Sequence, residues 1–261
     1  MDSMKVSIFE KSVNWKLYFL LLIGSILSSI AVLPYARTLQ GGILEVTFLS
    51  LILQNAIVFG IIIFVGLHLS KKLGLRISIL ENFVNSKKIT IGSTLSTSIL
   101  FGILTGFSII FLDCFIFVKL GISEICLMQI PLWQGFLASF YGGVCEEIIL
   151  RLFLMTLIVW VLSKLTKFKR KIVTNNKVMW SSIIISAIFF GLAHLPAAAA
   201  SISITLTTGT IFRIILLNGI AGIVFGWLYW KKGLESAMIA HFSADIMLHV
   251  FPPFFLRIMM G

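Results

Sequence analysis

Charged residues are scarce in this sequence. Asp, Glu, Lys and Arg make up 12% of the 261 residues, about half the share of roughly 25% that is usual in soluble globular domains. Hydrophobic residues make up 59%, and the mean hydropathy is +1.07. This balance excludes an ordinary soluble domain and predicts a multi-pass membrane protein.

Acidic residues are the scarcer charged type, with 10 Asp and Glu against 21 Lys and Arg, and the formal net charge is +11. A strongly basic protein can bind nucleic acid. Here, however, the basic residues lie in short clusters between apolar runs, where they act as signals for membrane orientation. We therefore expect the lipid bilayer as a partner, and no nucleic acid.

Cysteine is also rare, and its spacing excludes the common metal motifs. Cys114, Cys126 and Cys145 form no CxxC pair, and each lies in an apolar context where a thiol behaves as a small hydrophobic group. The sequence contains no HExxH either. We expect no disulfide and no metal ligand among the cysteines.

Long apolar runs dominate what is present. About 20 apolar residues cross a bilayer as a helix, and seven segments approach that length: 15–33, 46–69, 89–112, 132–162, 178–194, 209–230 and 234–251. The fold class is therefore all-α, a polytopic membrane helix bundle of about seven helices.

Two of these runs and one connection depart from a simple perpendicular span. The first ends at Pro34 without a convincing cleavage site, which favours a retained span over a signal peptide. The fourth is too long for one perpendicular crossing, so it is either strongly tilted or begins with an interfacial piece near 131–140. The segment 196–208 is predicted to be an interfacial or re-entrant connection, and an eighth short crossing is the alternative.

Basic residues in the connections predict the orientation of the bundle. They follow the second, fourth and sixth spans, and the positive-inside rule makes those loops and the N-terminus cytoplasmic. The residues are Lys5, Lys11, Lys16, Lys71, Lys72, Arg76, Lys87, Lys88, Lys164, Lys167, Lys169, Arg170, Lys171, Lys231 and Lys232. With seven spans, the C-terminus lies on the other side.

Small residues at four-residue spacing predict close contacts between spans. Gly102 and Gly106 form one such pair, and Gly222 and Gly226 form another. Glycines spaced in this way allow neighbouring helix backbones to approach in a membrane. We interpret both pairs as packing motifs.

The fourth span contains two adjacent carboxylates and an arginine. A charged side chain at the centre of a membrane helix costs about 2.5 to 3.5 kcal/mol, and such residues usually mark a functional site. Residues four apart share a helix face, so Glu147 and Arg151 are predicted to form an ion pair. Glu146 then points elsewhere and is the candidate general base.

Two further spans carry polar groups in short motifs. Phe190-xxx-His194 closes the fifth span, and His241-xxx-Asp245 lies within the seventh. A single histidine near the end of a span is more often interfacial than catalytic, which is the interpretation we give to His68 and His249.

The order EExxxR, FxxxH and HxxxD, each in a separate span, resembles the CAAX proteases and bacteriocin-processing enzymes, called CPBP or Abi proteins. The resemblance extends from Glu146 to Asp245. It implies three regions: N-terminal transmembrane helices (1–125), a CPBP-type catalytic bundle (126–251) and a short tail (252–261).

The resemblance also implies a glutamic intramembrane endopeptidase without a cofactor. Glu146 and His194 would activate a water, while His241 and residue 245 would stabilise the oxyanion. Elementary chemistry agrees, because peptide hydrolysis needs a base, an acid and donors for the developing negative charge. Hydrolysis also consumes water, so we expect Glu146, His194, His241 and Asp245 to line one water-accessible cavity with Phe190 on its wall.

Asp245 departs from the best-known members of that family, which have asparagine there. An ionised aspartate cannot donate a hydrogen bond. Either Asp245 is protonated, or it accepts from His241 and orients that ring. We favour the second interpretation.

Three alternatives remain open. Histidines and carboxylates also bind zinc, and buried Glu, His and Asp also form proton relays in transporters. A catalytically silent bacteriocin-immunity or scaffold protein would keep the same motifs. The composition favours a bacterial cell membrane, and the substrate is expected to be a membrane-associated peptide or protein, such as a prenylated CAAX tail or a peptide precursor.

Overall fold

The computed structural model describes residues 13–42, 47–89, 91–122, 130–166, 172–201 and 204–251, and within these ranges it contains helices and no strand. This confirms the all-α prediction. Several predictions concern residues outside these ranges, namely the roles given to Cys126, to the 252–261 tail, and to Lys5, Lys11, Lys167, Lys169, Arg170 and Lys171.

The first span stays helical past Pro34 instead of ending there. Helix α1, Trp15–Ala31, begins at Asn14, whose side chain accepts a hydrogen bond from the Leu17 N–H at 3.3 Å. Helix α2, Leu33–Leu39, follows after a single residue and holds Pro34 in its first turn. Proline is tolerated there because it removes no intrahelical hydrogen bond, so the chain remains helical past the predicted end.

The second and third spans are joined by a short helix that the sequence did not indicate. Helix α3, Phe48–Leu73, ends at Gly74, whose φ of 81° is the left-handed conformation typical of a glycine that terminates a helix. Helix α4, Ser78–Val84, lies in the connection. Helix α5, Gly92–Leu112, then continues into a π-helical turn, Asp113–Phe117.

The fourth span is a continuous helical stretch of 34 residues, Leu132–Leu165. It contains helix α6, Leu132–Phe140, two π-helical segments, Tyr141–Glu146 and Ile148–Met155, and helix α7, Thr156–Leu165. The π-helical centre was not predicted, because the sequence signals used for helices do not distinguish i→i+5 from i→i+4 hydrogen bonding. Such segments occur frequently at functional sites.

The remaining helices follow a 3₁₀ turn, Ile172–Thr174. They are α8, Asn176–Ala193, α9, Leu195–Ala200, α10, Thr208–Lys232, and α11, Leu234–Asp245, which ends in a π-helical turn, Ile246–Val250. With 6 residues, α9 is too short to be the eighth crossing considered above.

Six helices in the described part of the chain are long and apolar enough to span a membrane: Trp15–Leu39, Phe48–Leu73, Gly92–Phe117, Leu132–Leu165, Asn176–Ala200 and Thr208–Lys232. The seventh predicted segment is helical, as α11 and its π-helical turn, but it is not among the six. It carries Glu235, His241, Asp245 and His249, and the first three are buried in the bundle. The protein is therefore a multi-pass membrane helix bundle with a polar helix packed inside it.

The connections rich in basic residues meet at one end of the bundle, which we call the basic end. The Leu234 N–H donates to the Arg76 carbonyl at 3.0 Å, and the Leu80 N–H donates to Glu235 Oε1 at 2.8 Å. The Trp230 indole N–H donates to the Val173 carbonyl at 2.9 Å. The loops after the second, fourth and sixth spans thus lie on the same side.

Other polar contacts join the helices at the opposite end. The Thr38 hydroxyl donates to Gln134 Oε1 at 2.8 Å, linking α2 to the start of α6. Arg213 near the start of α10 forms a bidentate ion pair with Asp113 at the end of α5, with N to O distances of 2.5 and 2.6 Å. The alternation of ends agrees with the predicted order of crossings.

The two glycine pairs pack helices together, as predicted. A Cβ on Gly106 of α5 would lie 2.6 Å from Met247 Cβ, and one on Gly102 would overlap the Ala240 carbonyl. In the same way, a Cβ on Gly222 of α10 would lie 2.9 Å from Ala187 of α8. The first pair brings α5 against the helix of His241, and the second brings α10 against the helix that ends at His194.

Candidate active site

Glu147 and Arg151 form the ion pair that their spacing predicted. Arg151 Nε lies 3.3 Å from Glu147 Oε2, and both side chains are 0% exposed. The guanidinium carbon lies 5.2 Å from the centre of the Phe190 ring and 5.9 Å from that of Phe225. Charge, burial and two aromatic faces therefore fix Arg151 inside the bundle, away from any solvent.

His241 lies between the carboxylates of two helices. Its Nδ1 is 2.8 Å from Glu147 Oε1, so an Nδ1–H donates to that carboxylate. Its Nε2 lies 3.6 Å from Glu146 Oε2 and 3.7 Å from Asp245 Oδ1. The hydrogen bond to Glu147 therefore directs Nε2 toward Glu146 and Asp245.

This geometry corrects the predicted role of Asp245. We expected Asp245 to accept from His241 and orient its ring, but the residue that does so is Glu147. The spacing of four along α11 brings Asp245 beside Nε2, at a distance beyond ordinary hydrogen-bond range. Glu147 reaches the other ring nitrogen from the facing helix, a contact that spacing within a single helix does not reveal.

The two adjacent glutamates occupy unlike environments. Glu147 is fully buried and bound to both Arg151 and His241, whereas the Glu146 side chain is 23% exposed. Its carboxylate is held only loosely by His241, at 3.6 Å. Of the two carboxylates, Glu146 is the one with exposed surface.

His194 directly follows the last residue of α8, and the Phe190 ring lies between it and His241. Its Nδ1 is 2.8 Å from the Phe190 carbonyl, so an Nδ1–H donates there and Nε2 is left with a lone pair. The Phe190 ring packs edge-on against the rings of both His194 and His241, with centroid distances of 4.8 and 5.5 Å. In the described part of the chain, His194 forms no direct ion pair with a carboxylate, so a single cavity lined by all four polar residues remains a prediction.

Gly142 and Phe225 belong to the site but were given no role from the sequence. A Cβ on Gly142 would overlap Asp245 Oδ2 and lie 3.0 Å from His241 Nε2, so only glycine leaves room for these groups. The Phe225 ring stacks on the His241 ring, with centroids 4.6 Å apart. The Gly142-Gly143 pair just before the glutamates is a sequence signal that could have indicated the role of Gly142. Phe225 is one phenylalanine in an apolar span, and the sequence gives no signal for its role.

The donor arrangement offers no support for a metal centre. Among the described residues, no group of three His, Cys, Asp or Glu is placed to hold a metal ion. His241 Nδ1 is already engaged with Glu147, and Glu147 with Arg151. The absence of a cofactor nevertheless stays a prediction.

The fold and the site together define a class: a polytopic membrane helix bundle with a glutamate and histidine cluster buried among its helices. A comparison with family models then shows what the C-terminal half of the chain resembles. The family described as type II CAAX prenyl endopeptidase Rce1-like matches residues 128–247, which confirms the resemblance to the CAAX protease, or CPBP, family. The matched region contains all three motifs, and the family is one of membrane proteases. No curated protein matches the chain, and no solved structure does.

Proposed function

We propose that this protein is an intramembrane endopeptidase in which Glu146 activates a water for attack on a peptide carbonyl. The observation that carries the proposal is the contrast between the two neighbouring glutamates. Glu147 is committed to Arg151 and His241, whereas Glu146 is accessible and faces His241 Nε2. If these charges served only to stabilise the bundle, the Glu147–Arg151 pair would be enough. The partly exposed carboxylate of Glu146 would then have no role.

The reaction begins with the transfer of a proton from water to Glu146 while the water oxygen bonds to the carbonyl carbon. The lone pair on His194 Nε2 is available to accept a hydrogen bond from the same water. In the doubly protonated ring of His241, Nε2–H donates to the oxyanion that forms. The carbon–nitrogen bond then breaks, and the proton held by Glu146 passes to the leaving amine.

Glu147, Arg151 and Phe225 act on the reaction through His241. The carboxylate of Glu147 holds Nδ1–H, and the Phe225 face fixes the plane of the ring. Arg151 compensates the charge of Glu147 where no water does. Asp245 lies 3.7 Å from Nε2, beside the edge of His241 that faces the oxyanion.

The substrate is proposed to be a membrane-associated peptide or protein, in keeping with the description of the family as prenyl endopeptidases. The sequence composition supports a bacterial cell membrane. A prenylated CAAX tail and a peptide precursor are the two substrate types to test.

Comparative peptidomics of membranes tests the proposal. Membranes containing the wild-type protein should yield cleavage products that membranes with Glu146→Gln lack. Glu81→Gln is a matched control because Glu81 is an exposed carboxylate of α4, near the basic end. If wild type and Glu146→Gln produce the same peptides, the chain is a silent scaffold rather than a protease.

A further inference from the structure

The connection between the second and third spans carries a strongly basic surface at the basic end. Over residues 71–88 the basic side chains are all exposed, and Glu81 is the one acidic residue. The last residues of α10 adjoin this connection, because the Leu234 N–H donates to the Arg76 carbonyl at 3.0 Å. We call these exposed cations the basic surface: Lys71, Lys72, Arg76, Lys87, Lys88, Lys231 and Lys232.

Helix α4, within this connection, has an inner and an outer side. Leu80 and Val84, four residues apart, pack against the hydrophobic core, whereas the Phe83 side chain is 60% exposed. The Lys87 N–H donates to the Asn82 carbonyl at 2.9 Å, which holds this lysine and the next one close to α4. A large apolar side chain exposed beside lysines is typical of a segment at a membrane interface. The basic surface therefore fits a bilayer with acidic headgroups.

A buried carboxylate ties α4 to the helix of the catalytic cluster. Glu235, in the first turn of α11, is 5% exposed, and its Oε1 accepts the Leu80 N–H at 2.8 Å. A carboxylate is costly to bury unless it is hydrogen-bonded. The reaction described above does not use Glu235, so its burial calls for another role.

The first turn of α11 lies close to His241 along the same helix. Leu234–Asp245 is one continuous helix, and the six residues from Glu235 to His241 span about 9 Å. A movement of the first turn is therefore carried to the His241 ring. The distance of 2.8 Å between His241 Nδ1 and Glu147 Oε1 leaves little room for such a movement.

We propose that the basic surface binds anionic phospholipids of the adjoining leaflet, and that Glu235 transmits this contact to His241 as a positioning residue. The second part rests on the proposed function. Acidic headgroups hold the connection and α4 at the membrane surface, α4 fixes the first turn of α11, and His241 keeps its hydrogen bond to Glu147. The partner is the lipid surface itself.

Quenching by labelled lipids tests the contact without relying on activity. Asn85→Cys carries a bimane in the full-length chain without its native cysteines, and the nanodiscs contain equal parts of phosphatidylcholine and phosphatidylglycerol. A trace of one lipid or the other bears a nitroxide on its headgroup. The phosphatidylglycerol nitroxide should quench more strongly. Lys87→Gln combined with Lys88→Gln should lower this preference about fivefold or more, because each lysine near an acidic lipid surface contributes to the attraction.

Arg37→Gln combined with Lys119→Gln is the matched control, because it removes two exposed positive charges at the opposite end of the bundle. It should leave the preference for phosphatidylglycerol unchanged. Equal quenching by the two lipids in the wild type would overturn the lipid contact. A preference that persists without Lys87 and Lys88 would overturn it as well.

The transmission to His241 is tested by the Nδ1 resonance of that ring in protein with isotope-labelled histidine, identified by its loss in His241→Gln. Replacing pure phosphatidylcholine by the equal mixture should shift the resonance in the wild type and in Glu235→Gln, whose amide oxygen still accepts from the Leu80 N–H. It should not shift in Glu235→Ala. A merely structural role of Glu235 would change the resonance equally in both lipids, and that result would overturn the transmission.

A second variant keeps this test independent of the folding of Glu235→Ala. With Lys87→Gln and Lys88→Gln combined, Glu235 is intact, but the lipid contact is weakened. The His241 resonance should then no longer respond to the lipid. A response equal to that of the wild type would overturn the transmission.

Cleavage rates separate this inference from the proposed function. Phosphatidylglycerol should raise the cleavage rate per folded wild-type molecule about fivefold or more, the usual size of a coupling between two sites. If cleavage depends on Glu146 but the rate is equal in both lipids, the protease proposal stands and the transmission is wrong. If the His241 resonance responds to the lipid as expected but no peptide or membrane protein is cut, the lipid contact stands and the protease proposal is wrong.

Discussion

At the residue scale, the two neighbouring glutamates differ most in how far the stability of the folded protein depends on the partners of each carboxylate. Glu147 contacts Arg151 and His241 in a place with no solvent, whereas Glu146 keeps partial exposure. Removing one member of a buried pair leaves the other charge uncompensated, at a cost of about 3 to 5 kcal/mol. The proposed function thus gives the stabilising role to Glu147 and the chemical role to Glu146.

We predict that Glu147→Gln and Arg151→Leu will reduce the amount of folded protein more than Glu146→Gln does. The measurement is size-exclusion chromatography of a fluorescent fusion, together with the thermal unfolding midpoint. Glu146→Gln should fold like the wild type and be inactive. An equal loss of folded protein in all three variants would contradict this division.

Gly142→Ala should abolish most of the activity, because its methyl group would occupy the space of Asp245 Oδ2 and crowd His241 Nε2. Overpacking of this kind costs about 1 to 3 kcal/mol, so the variant should still fold in part. Gly92→Ala is the control, since a Cβ there meets nothing within 4 Å. Cleavage rates per folded molecule check the prediction, and normal activity in Gly142→Ala would show that the cluster rearranges freely.

Activity should survive strong chelators. His241 is held by carboxylates rather than poised as a ligand, and the proposed reaction uses Glu146 to activate water directly. The measurement is the cleavage rate after dialysis against 1,10-phenanthroline and EDTA. Loss of activity that zinc alone restores would instead establish a metalloprotease.

At the element scale, the contact between α5 and α11 positions His241. Gly102 and Gly106 let the two helices meet at backbone distance, and Ser98 and Ser236 hydrogen-bond across the same contact, 2.6 Å apart. A shift of α11 would move His241 relative to Glu147. The packing motif of the third span therefore sets where His241 of α11 meets Glu147 of the fourth span.

Gly102→Ala should lower both the unfolding midpoint and the activity, since its Cβ would overlap the Ala240 carbonyl, a backbone atom that cannot move by itself. Gly24→Ala is a control within another span, because a Cβ there makes only an ordinary contact, 3.8 Å from Val144. Both variants are compared by thermal unfolding and by cleavage assay. Equal behaviour of the two would mean that α5 does not position α11.

At the scale of the whole molecule, the bundle has two chemically distinct ends. One collects the basic connections, and the other holds Arg37, Thr38, Gln134 and the Asp113–Arg213 ion pair. The positive-inside rule predicts that the first end is cytoplasmic. The division of the chain at residue 125 also stays a prediction, although helices from both sides of it contribute to one hydrophobic cluster.

Orientation is tested by single cysteines in a background without Cys114, Cys126 and Cys145. Lys72→Cys should react with a membrane-impermeant maleimide only after the membrane is opened, and Thr38→Cys should react in intact cells. The reverse labelling pattern would show that the bundle has the opposite orientation in the membrane. Labelling of both sites in intact cells would contradict the order of crossings.

The sequence by itself determined the class of fold and most of the catalytic candidates. Apolar runs of spanning length dictate helices, because a bilayer leaves no other partner for backbone hydrogen bonds. Charges inside those runs marked Glu146, Glu147 and Arg151, and the i, i+4 spacing gave the Glu147–Arg151 pair because that contact lies within one helix.

Contacts between helices were decided by the tertiary structure alone. The pairing of His241 with Glu147 rather than Asp245, the stacking of Phe225 and the space that Gly142 leaves all join residues from different spans. The Tyr35–His249 contact joins residues 214 positions apart. Periodicity reports which residues share one helix face, but the rotation and depth at which two helices meet are fixed by packing of the whole bundle.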